Sequence, residues 1–136
     1  MVKAVVHDEL FLHMKSDPAA KNDMSAARDL VDTLRANKNN CVGMAANMIG
    51  VLKRIIAFEM NGKYVVMFNP VIIAKEGEYR TQEGCLSLSG VRDTVRWQKI
   101  EVEYQDTMFR KKKAIYEGWT AQIIQHEIDH CEGVLI

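Results

Sequence analysis

Apolar residues in the first third of this 136-residue chain recur with the spacing of a helix. The pattern begins after Asp23, a residue type that favours a helix N-terminus, and it ends at residues 37–40, three of which are asparagine. This spacing predicts an amphipathic helix of about four turns with one face on the core. The residues of its apolar stripe are Ala27, Leu30, Val31 and Leu34.

The middle of the chain has the residue types of β-strands. Residues 54–60 and 63–68 are rich in β-branched and aromatic side chains. Asn61-Gly62 lies between them and is a strong signal for a two-residue hairpin turn. The sequence therefore predicts a β-hairpin, and residues 71–74 continue the strand-like pattern after Pro70.

A second group of strands follows nearer the C-terminus. Apolar and polar side chains alternate in residues 100–105, which predicts a half-exposed strand. We expect this strand to pair with residues 113–116 across the basic run 110–113. The basic run is either a solvated turn or a docking patch for an anionic surface such as ribosomal RNA.

Helical spacing returns from Thr120, a candidate N-cap residue, to Cys131, with Gly133 as a stop signal. Counting 100° per residue places one apolar face beside a second face that carries potentially reactive groups. This second face contains Ile123, His126, Glu127 and His130. Strands gathered between two helices indicate an α+β fold with antiparallel sheets.

The N-terminal segment has a weaker pattern. Residues 2–11 predict a strand or an arm, and residues 16–22, which contain Pro18, predict a loop. The length, with 48% hydrophobic and 26% charged residues, is that of one globular domain, so we expect residues 1–136 to form a single domain.

The charge balance and the cysteines exclude several classes of protein. Lys plus Arg equals Asp plus Glu at 18 each, so no basic stripe indicates sequence-specific nucleic-acid binding. No stretch approaches the roughly 20 apolar residues of a membrane span, and the N-terminus has no signal-peptide core, so we expect a cytoplasmic protein. Three cysteines at irregular spacing favour thiols used singly over a disulfide framework.

The strongest chemical signal is His-Glu-x-x-His at residues 126–130. Histidines four positions apart on a helix can bind one metal ion with the glutamate beside them, although such a pattern also arises by chance on amphipathic helices. A catalytic site needs a third protein ligand and leaves one position open. Cys85 is a candidate thiolate ligand, and its alternative interpretation is a small buried apolar residue.

Three ordered segments together resemble the peptide deformylases, whose motifs are Gly-x-Gly-Leu-Ala-Ala-x-Gln, Glu-Gly-Cys-Leu-Ser and Gln-His-Glu-x-Asp-His. In this chain they correspond to residues 41–48, 83–87 and 125–130. The second and third segments match at every specified position. The resemblance implies an α+β fold in which antiparallel strands surround a central helix that carries the histidines.

The resemblance also implies an activity and a set of roles. The family removes the formyl group from N-terminal formylmethionine of new proteins and releases formate. Cys85, His126 and His130 would bind one divalent metal, typically Fe²⁺ with Zn²⁺ as a common substitute. Glu127 would be the general base and proton shuttle, and the Leu86 backbone N–H would donate to the oxyanion.

The first motif departs from the family pattern. Met48 replaces the glutamine that donates to the oxyanion, and a thioether cannot donate. Cys41 and Met44 replace a glycine and a leucine. The expected activity is therefore that of a deformylase with reduced turnover, acting on N-formylmethionyl peptides. The alternatives are a noncatalytic metal-binding paralogue that recognises N-termini or acts as a regulator, and a zinc endopeptidase.

Substrate contacts are expected from the first motif and from the chemical face of the C-terminal helix. Ile123 faces the metal side of that helix and should form an apolar pocket for the methionine side chain. The small residues of the first motif allow close approach of a peptide. The candidate substrate-binding residues are Val42, Gly43, Met44, Met48 and Ile123.

Overall fold

The computed structural model describes residues 1–136 and has an α+β fold, as the sequence predicts. The helices are α1 (Glu9–Leu12), α2 (Met24–Ala36) and α3 (Gly118–Cys131). Two short 3₁₀ helices span Lys21–Asp23 and Ala46–Ile49. The strands are β1 (Gly43–Ala45), β2 (Ile55–Met60), β3 (Lys63–Cys85), β4 (Leu88–Gln105) and β5 (Lys111–Glu117). None of the helices has the length and apolar character needed to cross a membrane.

All five strands form one antiparallel sheet whose spatial order follows the chain order from β1 to β5. The predicted hairpin is confirmed, because β2 pairs with β3 and Met60 lies opposite Lys63. Its turn residues Asn61 and Gly62 have φ angles of 53° and 78°. Two consecutive positive φ angles are the requirement of the turn that matches strand twist, and Asn-Gly meets it with little strain.

The strand prediction was too short in the middle of the chain. β3 has 23 residues and β4 has 18, so the segment 82–92 is the end of a long hairpin rather than a link between separate strand groups. The pairing shifts register between Phe68 and Val71, between Ile72 and Ala74, and between Gly84 and Cys85. Each irregularity interrupts the alternation of apolar and polar side chains. The sequence pattern therefore predicts several short strands where the structure has two long ones.

The prediction of a strand or arm over residues 2–11 was wrong for its second half. Helix α1 begins after Asp8, whose side chain accepts a hydrogen bond from the Leu10 N–H. Leu12 is fully buried, so this single turn anchors the N-terminal segment on the core. A four-residue helix is too short to show periodicity in the sequence.

The basic run was also misplaced. Lys111 to Lys113 belong to β5 and pair with β4, and the turn lies at residues 106–110. Asp106 holds that turn, because its side chain accepts hydrogen bonds from the N–H groups of Met108 and Arg110. The lysines therefore extend along an exposed edge strand, where lysine discourages pairing with other chains.

Helices α2 and α3 pack on the sheet through two groups of buried residues. On α2, Ala27, Leu30 and Leu34 are buried among β1, β2 and the 3₁₀ helix that follows β1. Helix α3 begins at Gly118, and its N-cap residue is Glu117 rather than the predicted Thr120. Its apolar face buries Ala121, Ile124 and Ile128 against β2 and β4. This packing fixes the direction of the neighbouring polar face of α3.

Gly133 terminates α3 in a conformation that only glycine adopts without strain. Its φ is +76°, and an added Cβ would clash with the backbone carbonyl of His13. We expect Gly133→Ala to lower the free energy of unfolding by about 2–4 kcal/mol, because backbone strain and overpacking add. Gly62 has a similar φ and no atom within 4 Å of its Cβ position, so Gly62→Ala should cost only about 1 kcal/mol. Urea unfolding of both variants tests this difference, and equal losses would contradict it.

Candidate active site

Helix α3 and the β3–β4 hairpin bring together three side chains that could hold a metal ion, Cys85, His126 and His130. His130 Nε2 lies 3.2 Å from His126 Nε2 and 3.3 Å from Cys85 Sγ. One ligand atom from each residue falls within 4.8 Å of the others. Nitrogen and sulfur atoms bound to a tetrahedral ion at about 2.0–2.3 Å would be about 3.3–3.8 Å apart. The donor set and its spacing therefore fit a single divalent transition metal with one open position.

A buried carboxylate orients His126. Glu83 Oε1 lies 2.8 Å from His126 Nδ1, and a carboxylate can only accept, so Nδ1 carries the hydrogen. The other ring nitrogen, Nε2, is then the one free for a metal. An outer hydrogen bond of this type fixes the tautomer and the ring direction of a metal-binding histidine.

Glu83 is itself held by the buried guanidinium of Arg96. The bonds are 2.7 Å from Nη2 to Oε1 and 3.0 Å from Nε to Oε2. Burial acts to raise the pKa of Glu83, but hydrogen bonds from His126, Arg96 and Gln122 outweigh it and lower the pKa to about 2. Arg96 Nη1 also binds Asp129 Oδ2 at 2.7 Å. Glu83 is therefore a fixed anion behind the ring of His126.

Glu127 is buried beside this group, with 4% of its surface exposed. Its Oε1 has no hydrogen-bond partner within the protein. Burial raises the pKa of Glu127 to about 7. A carboxyl group with such a pKa can both accept and release a proton near neutrality, which is the property of a proton shuttle.

Strand β1 passes close to Glu127 because residue 43 is glycine. A Cβ at Gly43 would lie 2.7 Å from Ile123 Cγ2 and 2.9 Å from Glu127 Oε2. The first motif is tied to α3 from its other end as well, since Asn47 Nδ2 donates to the His130 carbonyl oxygen at 3.0 Å. The backbone of the first motif therefore forms one wall of the site.

A cavity of about 410 Å³ opens at this site. Most of the predicted site residues line it, together with residues to which the sequence analysis assigned no role in the site. The predicted ones are Val42, Gly43, Met48, Cys85, Leu86, Ile123, His126 and Glu127. His130 lies behind them and is fully buried. The others include Cys41, Glu83, Trp119 and Gln122.

Met44 does not line the cavity, so its side chain is not part of the pocket wall, and backbone contact with the peptide is the role that stays a prediction for this candidate. Successive side chains of a strand point to opposite faces, and Gly43 faces Ile123 and Glu127. Met44 is therefore directed away from the cavity, and it is fully buried in the core with residues of α2. A strand of three residues is too short for its alternation to be recognised in the sequence.

Two of the departures from the family's first motif, Met48 and Cys41, lie in different environments. Met48 lies in the 3₁₀ helix after β1, with 1% of its surface exposed, and packs on the core as well as on the cavity. Cys41 donates its S–H to the Gly43 carbonyl oxygen at 2.8 Å. Burial, with a contribution from the charge of Glu127, raises the pKa of Cys41 to about 12. All three cysteines are free thiols.

The sequence of the chain places it among known proteins. Residues 2–136 match the model of the family described as polypeptide deformylase. The chain belongs to the peptide deformylase family. A peptide deformylase of Clostridium beijerinckii is 57% identical over 136 residues, which is 100% of both chains.

Solved structures agree with this assignment. A peptide deformylase from Legionella pneumophila has a TM-score of 0.89 at 31% identity, and the match covers 99% of this chain and 83% of that one. A peptide deformylase from Thermus thermophilus has a TM-score of 0.86 at 34% identity, with coverage of 99% and 83%. The fold and the motifs therefore belong to one family.

Proposed function

We propose that this chain is a metal-dependent hydrolase that removes the formyl group from N-terminal formylmethionine of nascent polypeptides and releases formate. The observation that carries the proposal is the convergence of Cys85, His126 and His130 beside buried Glu127, at the wall of one cavity that Cys85, His126 and Glu127 line. Membership of the family, whose members remove this formyl group, agrees with the site.

In this proposal Cys85, His126 and His130 hold one divalent ion, Fe²⁺ in the native enzyme with Zn²⁺ as a substitute. Such an ion supplies a water of lowered pKa and polarises the formyl oxygen. The mixed nitrogen and thiolate donor set supports a transition metal over Mg²⁺ or Ca²⁺, which prefer oxygen ligands.

One side chain and one backbone group of this protein perform the remaining steps. Glu127 takes a proton from the attacking water and delivers it to the departing amine, and its pKa of about 7 suits both transfers. The Leu86 N–H, in the hairpin turn next to Cys85, donates to the formyl oxygen as negative charge develops there. Hydrolysis of a formamide requires both proton transfer and charge stabilisation.

Substrate recognition is assigned to the cavity walls. Ile123 supplies an apolar surface for the methionine side chain, and its contact with β1 supports this role. Val42 and Gly43 present backbone groups to the peptide. The side chain of Met48 contacts the substrate region without donating a hydrogen bond.

The wider setting is part of the same proposal. Residues 1–136 act as one domain in the cytoplasm, where nascent chains carry the formyl group. Transient association with the ribosome is supported by Lys111, Lys112 and Lys113, which are exposed along the edge of β5.

Formate release from a formyl-Met-Ala peptide tests the proposal. The protein should be loaded with Fe²⁺ without oxygen, and its metal content should be measured in the same sample. We expect one formate for each deformylated peptide. A fully metallated protein that binds the peptide but releases no formate would support the noncatalytic paralogue instead.

Met48→Gln should increase turnover. The variant restores an amide donor to a site that already has the Leu86 N–H, so we expect kcat/KM to rise by about tenfold, below the 10²- to 10³-fold effect of a perfectly placed donor. The change should appear mainly in kcat, because charge develops in the transition state.

Met60→Gln is the matched control, because Met60 is a half-buried methionine at the end of β2 outside the cavity. Steady-state kinetics of both variants at equal metal content provide the measurement. An unchanged or lower rate in a folded, metallated Met48→Gln protein would show that the amide cannot reach the formyl oxygen.

A further inference from the structure

Gln122 belongs to none of the three motifs, yet it contacts the group that orients His126. It lies on α3 one turn before His126 and lines the cavity. Its Nε2 donates to Glu83 Oε2 at 2.9 Å. The two residues are separated by 39 positions in the chain, so the contact exists only in the folded protein.

The hydrogen bonds of Glu83 divide between its two oxygens. Oε1 accepts from His126 Nδ1 at 2.8 Å, and Oε2 accepts from Gln122. Arg96, on β4, donates to both oxygens. Gln122 and His126 are four residues apart on one helix, so they hold the carboxylate at two points of the same helix face. Without Gln122, the His126 bond would be the one direct hydrogen bond between the Glu83 carboxylate and α3. The remaining connection would be indirect, through Arg96, which bonds both Glu83 and Asp129.

The orientation of the Gln122 amide is also determined. Tyr79 OH donates to Gln122 Oε1 at 3.3 Å, which leaves Nε2 for Glu83. The reverse orientation would direct the amide oxygen at a carboxylate oxygen, and neither can donate. Tyr79, Gln122, Glu83 and His126 thus form one chain of hydrogen bonds in which every donor has an acceptor.

We propose that Gln122 is a positioning residue for the metal centre, and that it acts through Glu83 to fix the ring of His126 with Nε2 towards the ion. Tyr79 supports it by fixing the amide. The inference rests on the proposed function in one respect, which is that His126 is a metal ligand. A residue that only formed the cavity wall would affect peptide binding and leave the metal unaffected.

The affinity for Co²⁺ distinguishes these two roles without measuring activity. Gln122→Met keeps the length of the side chain and removes the donor. We expect it to weaken Co²⁺ binding by about threefold to tenfold, somewhat less than the 10- to 100-fold typical of groups bonded directly to a ligand. The visible spectrum of the bound Co²⁺ should also change, because the direction of the His126 ring sets the ligand field.

Gln82→Met is the matched control. Gln82 is a glutamine on the same cavity, but its Nε2 donates to Asp93 rather than to Glu83. Its replacement should leave the Co²⁺ affinity and spectrum unchanged. Competition with a chelator of known affinity gives the affinities of both variants. Equal affinities for the wild type and Gln122→Met, with identical spectra, would overturn the proposal.

A double-mutant cycle tests whether the effect passes through Glu83. In a Glu83→Gln background, Gln122→Met should change Co²⁺ affinity by less than about twofold, because the group it acts on is altered. Additive losses would overturn the proposal.

Tyr79→Phe provides a second variant if Gln122→Met fails to fold, and it should weaken Co²⁺ binding by about twofold in the same direction. An unchanged affinity in that variant would remove Tyr79 and Gln122 from the metal centre.

Failure of this inference differs from failure of the proposed function. A wild-type protein with normal Co²⁺ binding but no formate release would contradict only the function. Co²⁺ binding that survives replacement of His126 by alanine would remove His126 from the ligand set, and with it the basis for Gln122.

Discussion

Glu127→Gln is expected to lower kcat/KM for a formylmethionyl peptide by about 10²- to 10⁴-fold while the metal content stays unchanged. Glutamine has nearly the same shape, so it fits the buried site between β1 and the ligands. Its amide cannot take a proton from water. The other carboxylate on this cavity, Glu83, is held by Arg96, Gln122 and His126, and its pKa of about 2 makes it a poor base for this proton transfer.

Glu132→Gln is the control for this variant, because Glu132 follows the same helix but lies outside the cavity and pairs with Arg54. Steady-state rates and metal analysis of both proteins provide the measurement. If Glu127→Gln retained more than about a tenth of the wild-type rate, general-base catalysis by this residue would be excluded, since that effect is worth at least about 10²-fold.

Several parts of the fold were predictable because their signals are local. Asn61-Gly62 determines a hairpin turn through the φ angles of two adjacent residues. The four apolar positions of α2 repeat over several turns, so the helix could be placed within one or two residues. Helix α1 was missed because one turn gives no repeat, and the long β3–β4 hairpin was missed because its bulges interrupt the alternation.

The residues of the site also differ in whether a local sequence pattern could predict them. His126 and His130 are one turn apart, so spacing alone brings them together. Cys85 required the joint pattern of three motifs. Arg96 and Gln122 reach Glu83 over sequence separations of 13 and 39 residues, and only strand register and helix packing make those contacts. Spacing therefore indicated the two histidines and the motifs indicated Cys85, whereas the contacts of Arg96 and Gln122 with Glu83 appear only in the folded chain.

Cys85→Ser should weaken metal binding by about 100-fold or more. Replacement of a group that only orients a ligand typically costs 10- to 100-fold in affinity, so loss of a ligand should reach at least the upper end of that range. A serine hydroxyl stays protonated near neutral pH, whereas a thiolate is a good ligand for Fe²⁺ and Zn²⁺. The two remaining histidines cannot complete a three-ligand site.

Cys41→Ser is a closely matched control for this prediction. Cys41 lines the same cavity and lies outside the three-residue ligand cluster, and a serine hydroxyl can replace its hydrogen bond to the Gly43 carbonyl. Metal affinity by chelator competition should therefore fall in Cys85→Ser and stay near the wild-type value in Cys41→Ser.

Thermal unfolding gives an independent readout of the same difference. A ligand that binds only the folded state stabilises it by RT ln(1 + [L]/Kd), so Zn²⁺ at about 1,000 times Kd adds about 4 kcal/mol. A 100-fold weaker site at the same Zn²⁺ concentration retains about 1.4 kcal/mol by the same relation. Zn²⁺ should thus raise the Tm of the wild type and Cys41→Ser clearly more than that of Cys85→Ser. Equal Zn²⁺-dependent shifts in all three proteins would show that the thiol of Cys85 is not a ligand.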